Sequence, residues 1–162
     1  QHSLSLDLVE PHAMAYSIAM FVALLSSALA LGGPLAHVLE LVNKMGMPRD
    51  QYFVVQTIYA GWNRLAYVLA IQFVSMMAVI FISRHEPRVL WSAVIAVACL
   101  IAAQVVFWTY TYPANMTTNN WTTIPQNWES LRNQWEYSHA VGAALQLLTM
   151  STLIVAALIR ER

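Results

Sequence analysis

The stretch NQWEYSHAVGAALQLL, residues 133–148, passes within about one turn from Trp135, Glu136 and His139 into a long apolar segment. Length decides how such a segment reads, because crossing a bilayer takes about 17 to 25 apolar residues. Here the run continues to about residue 159, so 134–159 is expected to be a transmembrane helix. Three more runs of sufficient length precede it, at roughly 13–42, 53–82 and 89–112. They are separated by NKMGMPRDQ, SRHEPR and a loop at 113–133, each polar and each containing proline. Backbone groups in lipid must find partners within their own segment, so each run is expected to be helical, and short connections make neighbours antiparallel. The fold class is therefore all-α: a membrane-embedded, up-down four-helix bundle forming a single domain over 1–162.

Composition agrees. Hydrophobic residues make up 59% of the 162 positions and charged residues only 10%, against about 25% charged in a soluble domain. Lys plus Arg and Asp plus Glu number eight each, so no basic field exists to recruit nucleic acid. The lone Cys99 lies in an apolar run and reads as a small core hydrophobe. The opening QHSLSLDLVEPH lacks the basic residues of a secretory signal, so the first run reads as a retained helix. With four spans both termini share a side with Arg84, Arg88, Arg160 and Arg162, and the opposite side receives Lys44, Arg49 and Arg132. That excess favours cytoplasmic termini and an outward-facing long loop.

Intramembrane polar residues are costly and tend to face the bundle interior. On the fourth run, Trp128, Arg132, Trp135, His139 and Gln146 fall on one helical face, with Glu136 on its flank. The second run carries Gln56, Tyr59, Asn63 and Tyr67, the third Gln104, Trp108, Thr111 and Asn115, and the first His37 and Glu40. Chain order and alternating direction put most of these at one membrane end, where a shared polar pocket is expected. The segment GGPLAH, with Gly32, Gly33 and Pro34, is expected either to kink the long first helix or to let a neighbour approach closely. Trp121, Trp128 and Trp135, with Tyr110, Tyr112 and Tyr137, read first as an interfacial aromatic belt, and Trp128 and Trp135 also as pocket walls.

Several chemistries suit such residues. Glu136 and His139 have the Glu-x-x-His spacing of carboxylate-bridged metal bundles, and His37 with Glu40 presents the same types in reverse order. These four are the candidate ligands for a transition-metal ion such as iron, copper or zinc. His37 and His139 could instead be the axial ligands of a non-covalent haem b in an electron-transfer protein, with Arg64 or Arg132 near a propionate. A structural reading has Glu136 and His139 bonding loop backbone and complementing the helix dipole. Arg64, inside the second run, is expected to need a buried anionic partner, from the protein or from a quinone-like ligand. Candidate catalytic residues are Glu136, His139 and Arg64, and candidate substrate contacts are Gln56, Tyr59, Asn63, Asn115, Trp128 and Trp135.

The segments PRDQYFVVQTIYAGWNR and PANMTTNNWTTIPQNWESLRNQWEYSHA, with the W-E-x-x-H grouping before the last span, resemble a bacterial family of small four-span membrane proteins of unknown function (DUF1772), to which anthrone-oxygenase-like proteins are related. The likeness covers nearly the whole chain. It implies a four-helix membrane bundle and oxidation of small phenolic or polycyclic aromatic substrates with molecular oxygen, usually without a cofactor. Its family-like positions are Gln56, Tyr59, Trp62, Asn115, Trp128, Trp135, Glu136 and His139. The expected function is thus an oxygenase-like membrane oxidoreductase; a non-catalytic accessory subunit of a larger membrane complex is the alternative.

Overall fold

The computed structural model describes residues 11–160; Arg162 of the topology argument lies outside them. Helix α1 spans Pro11–Met45, α2 Arg49–Gln56, α3 Leu65–Ile82, α4 Pro87–Val106, α5 Tyr112–Thr117 and α6 Trp128–Arg160, and there is no strand among the described residues. Four helical segments are long and apolar enough to cross a membrane: His12–Met45, Trp62–Ile82, Pro87–Thr117 and Trp128–Arg160. Their outward faces carry Phe21, Leu29, Ile71, Phe81, Ile101 and Leu148, as a bilayer environment requires.

The expected second helix at 53–82 is interrupted. The chain forms α2, then two single 3₁₀ turns at Thr57–Tyr59 and Trp62–Arg64, and only then α3. Gly61 sits between the turns at φ +87, a conformation that glycine adopts without a Cβ penalty. The break ends the helical register that placed Gln56, Tyr59, Asn63 and Tyr67 on one face. Gln56 is buried and Tyr59 half-buried, whereas Asn63 and Tyr67 are exposed. By contrast, α1 continues through Pro34, and its 35 residues reach about 52 Å at 1.5 Å per residue. Gly33 has a packing reason: a Cβ there would stand 3.1 Å from a methyl of Leu65 and 3.5 Å from the Trp62 ring. At the end of α4, a π turn over Phe107–Thr111 shifts the register, so Thr111 is buried while Trp108 faces out.

The spans form a ring in which α1 packs on α3 and α6, and α4 packs on α6 and α3. One apolar core lies toward the chain termini and holds Met20, Ala23, Met76, Val79, Ala93, Ala96, Leu153 and Ala156. Its small residues let helices approach closely. Near its rim the Arg160 guanidinium lies 3.6 Å from the Tyr16 ring centroid and 3.4 Å from Glu86. The second core, at the loop end, is aromatic: Tyr52, Phe53, Trp121, Leu131 and Trp135 with Ala114. A buried polar layer also ties the spans together. In it the Gln72 amide donates to Ser27 and to Gln146 Oε1, each at 3.0 Å, joining α1, α3 and α6.

Candidate functional site

Topology brings the end of α1, the whole of α2 and the beginning of α6 to the loop end, and charged side chains meet there out of water. Lys44, on the last turn of α1, is 1% exposed and Glu136 of α6 is equally buried. Lys44 Nζ stands 2.7 Å from Glu136 Oε1. The Tyr52 hydroxyl donates to the same oxygen at 2.9 Å, and Lys44 also donates to the Tyr59 hydroxyl at 3.2 Å. Tyr59 in turn donates to Glu40 Oε2. The ammonium lies 4.6 Å from the Trp135 ring centroid and 4.7 Å from that of Tyr59, so aromatic faces complete its cage. Burial, and next the Glu136 carboxylate, push the Tyr52 phenol well above the usual tyrosine range, so it stays a donor at any physiological pH.

Beside this cage lies an imidazole pair. The His37 and His139 ring centroids are 4.2 Å apart, and both rings pack on Trp135, at 4.8 and 4.1 Å. Tyr59 is 4.5 Å and Trp62 5.7 Å from His37. His139 Nδ1 is 2.8 Å from the Trp135 carbonyl. A carbonyl only accepts, so Nδ1 carries the proton and Nε2 is left as the acceptor.

Four buried polar atoms around these groups have no protein partner: His37 Nδ1, Glu136 Oε2, and both amide atoms of Gln56, which lies close to Tyr52. Buried polar atoms are nearly always satisfied, so each marks a place for water or a ligand.

Sequence reasoning brought His37, Glu40, Gln56, Tyr59, Trp135, Glu136 and His139 to this end, and they do meet there. It missed Lys44, read only as a flanking charge, and Tyr52. A signal for Lys44 was its spacing of four residues from Glu40, one turn along α1. Arg64 and Asn63 are exposed rather than within the cluster, because the break at Gly61 turns them outward; the buried partner expected for Arg64 is not needed. Trp128 is half-buried, 4.7 Å from the Arg132 guanidinium, whose Nη1 donates to the Met47 carbonyl. Asn115 Oδ1 accepts the indole N–H of Trp135 at 2.8 Å and that of Trp121 at 3.1 Å. Trp121 and Trp135 are 5% and 4% exposed, so these two belong to the interior, while Tyr110, Tyr112 and Tyr137 face outward as a belt does.

No three His, Cys, Asp or Glu side chains among the described residues converge as a metal site. The expected set divides: His37 packs against His139, Glu136 is held by Lys44 and Tyr52, and Glu40 by Tyr59. A haem plane has no room between imidazoles in direct contact, so the pair as arranged does not fit axial ligation. Against protein-family models, curated proteins and solved structures the chain finds no match.

Proposed function

We propose that the chain is an integral-membrane oxidoreductase of the oxygenase type, acting on a small phenolic or polycyclic aromatic substrate in the chamber bounded by Lys44, Gln56, Trp135, Glu136 and the two histidines. The observation that carries this reading is the set of buried, unpartnered polar atoms beside an imidazole acceptor. A substrate with a doubly benzylic CH₂ flanked by a carbonyl ring suits them. His139 Nε2 takes a proton from that carbon, and the Lys44 ammonium and Gln56 amide hold the resulting enolate oxygen. The carbanion passes one electron to O₂, the radical pair joins as a hydroperoxide, and loss of water leaves a ketone. The balance is CH₂ plus O₂ giving C=O plus H₂O, with O₂ the sole oxidant. The chamber faces the periplasm and the termini the cytoplasm, in keeping with the distribution of Arg and Lys.

The test is turnover of a tricyclic anthrone by the purified protein in nanodiscs under ¹⁸O₂. The expected product carries one ¹⁸O at the new carbonyl, and His139→Ala lowers the rate by about 100-fold or more. Absence of substrate-dependent oxygen uptake by the parent protein removes the proposal. Elemental mass spectrometry and the visible spectrum of the same sample check the alternatives. A stoichiometric metal or haem lost with His139→Ala would transfer the chemistry to that group. A second reading, an accessory subunit of a membrane complex, is favoured by the Lys44–Glu136–Tyr52 network, which locks α1, α2 and α6 together. It requires a protein partner that co-purifies with the chain and no oxygen uptake.

A further inference from the structure

A groove of about 550 Å³ runs between α3 and α4, within the range of about 300–1,000 Å³ usual for small-molecule sites. It is lined by Leu69, Ala70 and Phe73 of α3, by Ile101 and Val105 of α4 and by Trp108 of the π turn. Most of these side chains are exposed and both helices belong to membrane spans, so the groove opens onto the bilayer. The Trp108 ring lies 4.9 Å from that of Tyr112 and 5.4 Å from that of Phe107, which hold it as an aromatic wall.

Two polar side chains, Gln104 and Thr109, also line this groove, and neither has a hydrogen-bond partner among the described residues. Both depart from the pattern of the other spans. The exposed hydroxyls of Ser17, Ser92, Thr117 and Thr152 each donate to a carbonyl four residues back, and Gln72 and Gln146 pair inside the bundle. Gln104 lies well within its span Pro87–Thr117, roughly 25 Å from the start and 20 Å from the end at 1.5 Å per residue. Its side chain reaches neither interface. Hydrocarbon offers an amide no partner, so the bonds that Gln104 lacks from the protein are left for a ligand. The π turn that begins at Phe107 advances less per residue than an α-helix, which brings Thr109 round toward the face carrying Gln104. The two polar groups then stand about 7 Å apart along one wall of an aromatic-lined, lipid-facing groove.

We propose that the α3–α4 groove binds a bilayer-dissolved quinone or quinol, its ring against Phe73 and Trp108 and its oxygens hydrogen-bonded by Gln104 and Thr109. A flat apolar ring with oxygens on opposite edges meets both polar groups at once. The amide of Gln104 can donate to a quinone carbonyl or accept from a quinol hydroxyl. A helix of a second copy fits less well, because Gln104 is half-buried while Ile101, Val105 and Trp108 beside it are exposed. A cylinder about 10 Å across would rest on those outer side chains before it reached the amide. None of His37, Lys44, Gln56, Glu136 or His139 lines the groove, so this site and the reaction proposed above can fail separately.

The probe is an azido-benzoquinone with a decyl tail, photolysed with the full chain in phosphatidylcholine nanodiscs and mapped by peptide mass spectrometry. Labelling should saturate, fall on α3 and α4 around the groove, and be displaced by the same quinone lacking the azide. Gln104→Leu should raise the half-saturating concentration about three- to tenfold, and Thr109→Val by a smaller factor, as expected for single hydrogen bonds. Ala70→Phe fills the groove without touching either polar group and should abolish the saturable labelling, so the site remains testable should a polar variant fail to assemble. Labelling that is spread evenly over the lipid-facing surface and not displaced overturns the site, because the groove then holds only ordinary lipid. Half-saturation unchanged in both Gln104→Leu and Ala70→Phe overturns it as well. So does a dimer in the nanodisc that Gln104→Leu converts to monomer with no saturable labelling in the parent, which would make this face a contact between copies.

Discussion

The two ends of this bundle solve the problem of helix contact in opposite ways. Toward the termini, alanines and other small or aliphatic side chains pack closely, and the ion pair near the rim, Arg160 with Glu86, is partly exposed. At the loop end a fully buried ion pair, two tyrosines, two histidines and a cluster of tryptophans occupy the same cross-section. The first arrangement needs no special geometry beyond shape. The second is tolerable only because Lys44 and Glu136 neutralise each other and aromatic faces and phenols complete their shells, since one such charge left alone in the interior is strongly unfavourable. A chain with no use for charge at that end could have packed it like the other. The buried polar atoms are thus the part of the molecule that stability alone does not explain.

Substitutions can break that contrast. The largest effect is expected from Lys44→Ala or Glu136→Ala, each leaving one charge buried without its partner and costing roughly 3–5 kcal/mol. The double variant Lys44→Ala, Glu136→Ala should cost much less than the sum of the two single changes, because it leaves neither charge unpaired. A double-mutant cycle of unfolding in mixed micelles measures this, and additive losses would mean that the pair is not coupled. At the terminal end, Leu153→Ala removes a fully buried aliphatic side chain and should cost about 2–4 kcal/mol.

Tyr52→Phe deletes one donor to a charged carboxylate and should cost about 1.5–3 kcal/mol. It also carries a pH signature. The folded-state pKa of Tyr52 lies above its unfolded value, so the neutral phenol is favoured by folding; the stability it confers is complete below about pH 10 and is lost as the pH rises past that value. The alkaline limb of the stability profile should therefore flatten in Tyr52→Phe, and an unchanged limb would dissociate Tyr52 from it. In the polar layer, Gln72→Leu leaves Gln146 and Ser27 without their shared donor, and a loss of about 0.6–2 kcal/mol is expected by the same unfolding measurement. The smallest effect belongs to Arg160→Ala, about 1 kcal/mol or less, because Glu86 is well exposed and water screens the pair. A loss there as large as that of Lys44→Ala would erase the difference between the ends.

Much of this was legible without coordinates. Run length and the proline-containing breaks were enough for four membrane helices, because lipid leaves a spanning backbone almost no choice but the helix. Parity of direction then sufficed to gather His37, Glu40, Gln56, Glu136 and His139 at one end. Helical periodicity failed where the helix did. Gly61 permits a left-handed turn, and from that residue on the 3.6-residue rule no longer described which side chains faced inward, so Asn63 and Arg64 were assigned to the pocket but point away from it. The π turn at 107–111 has the same effect on Trp108.

What the sequence by itself determined is the medium and the skeleton: a chain this apolar, with runs this long, is an all-helical multi-pass membrane protein. What only the tertiary structure decided is which charges meet. Lys44 looked like a flanking charge because hydropathy averages over neighbours along the chain, whereas its burial depends on α2 folding back over the end of α1 and on α6 bringing Glu136 within 2.7 Å. Pairing of charges is a property of three-dimensional distance, and sequence spacing reports it only within a single unbroken helix.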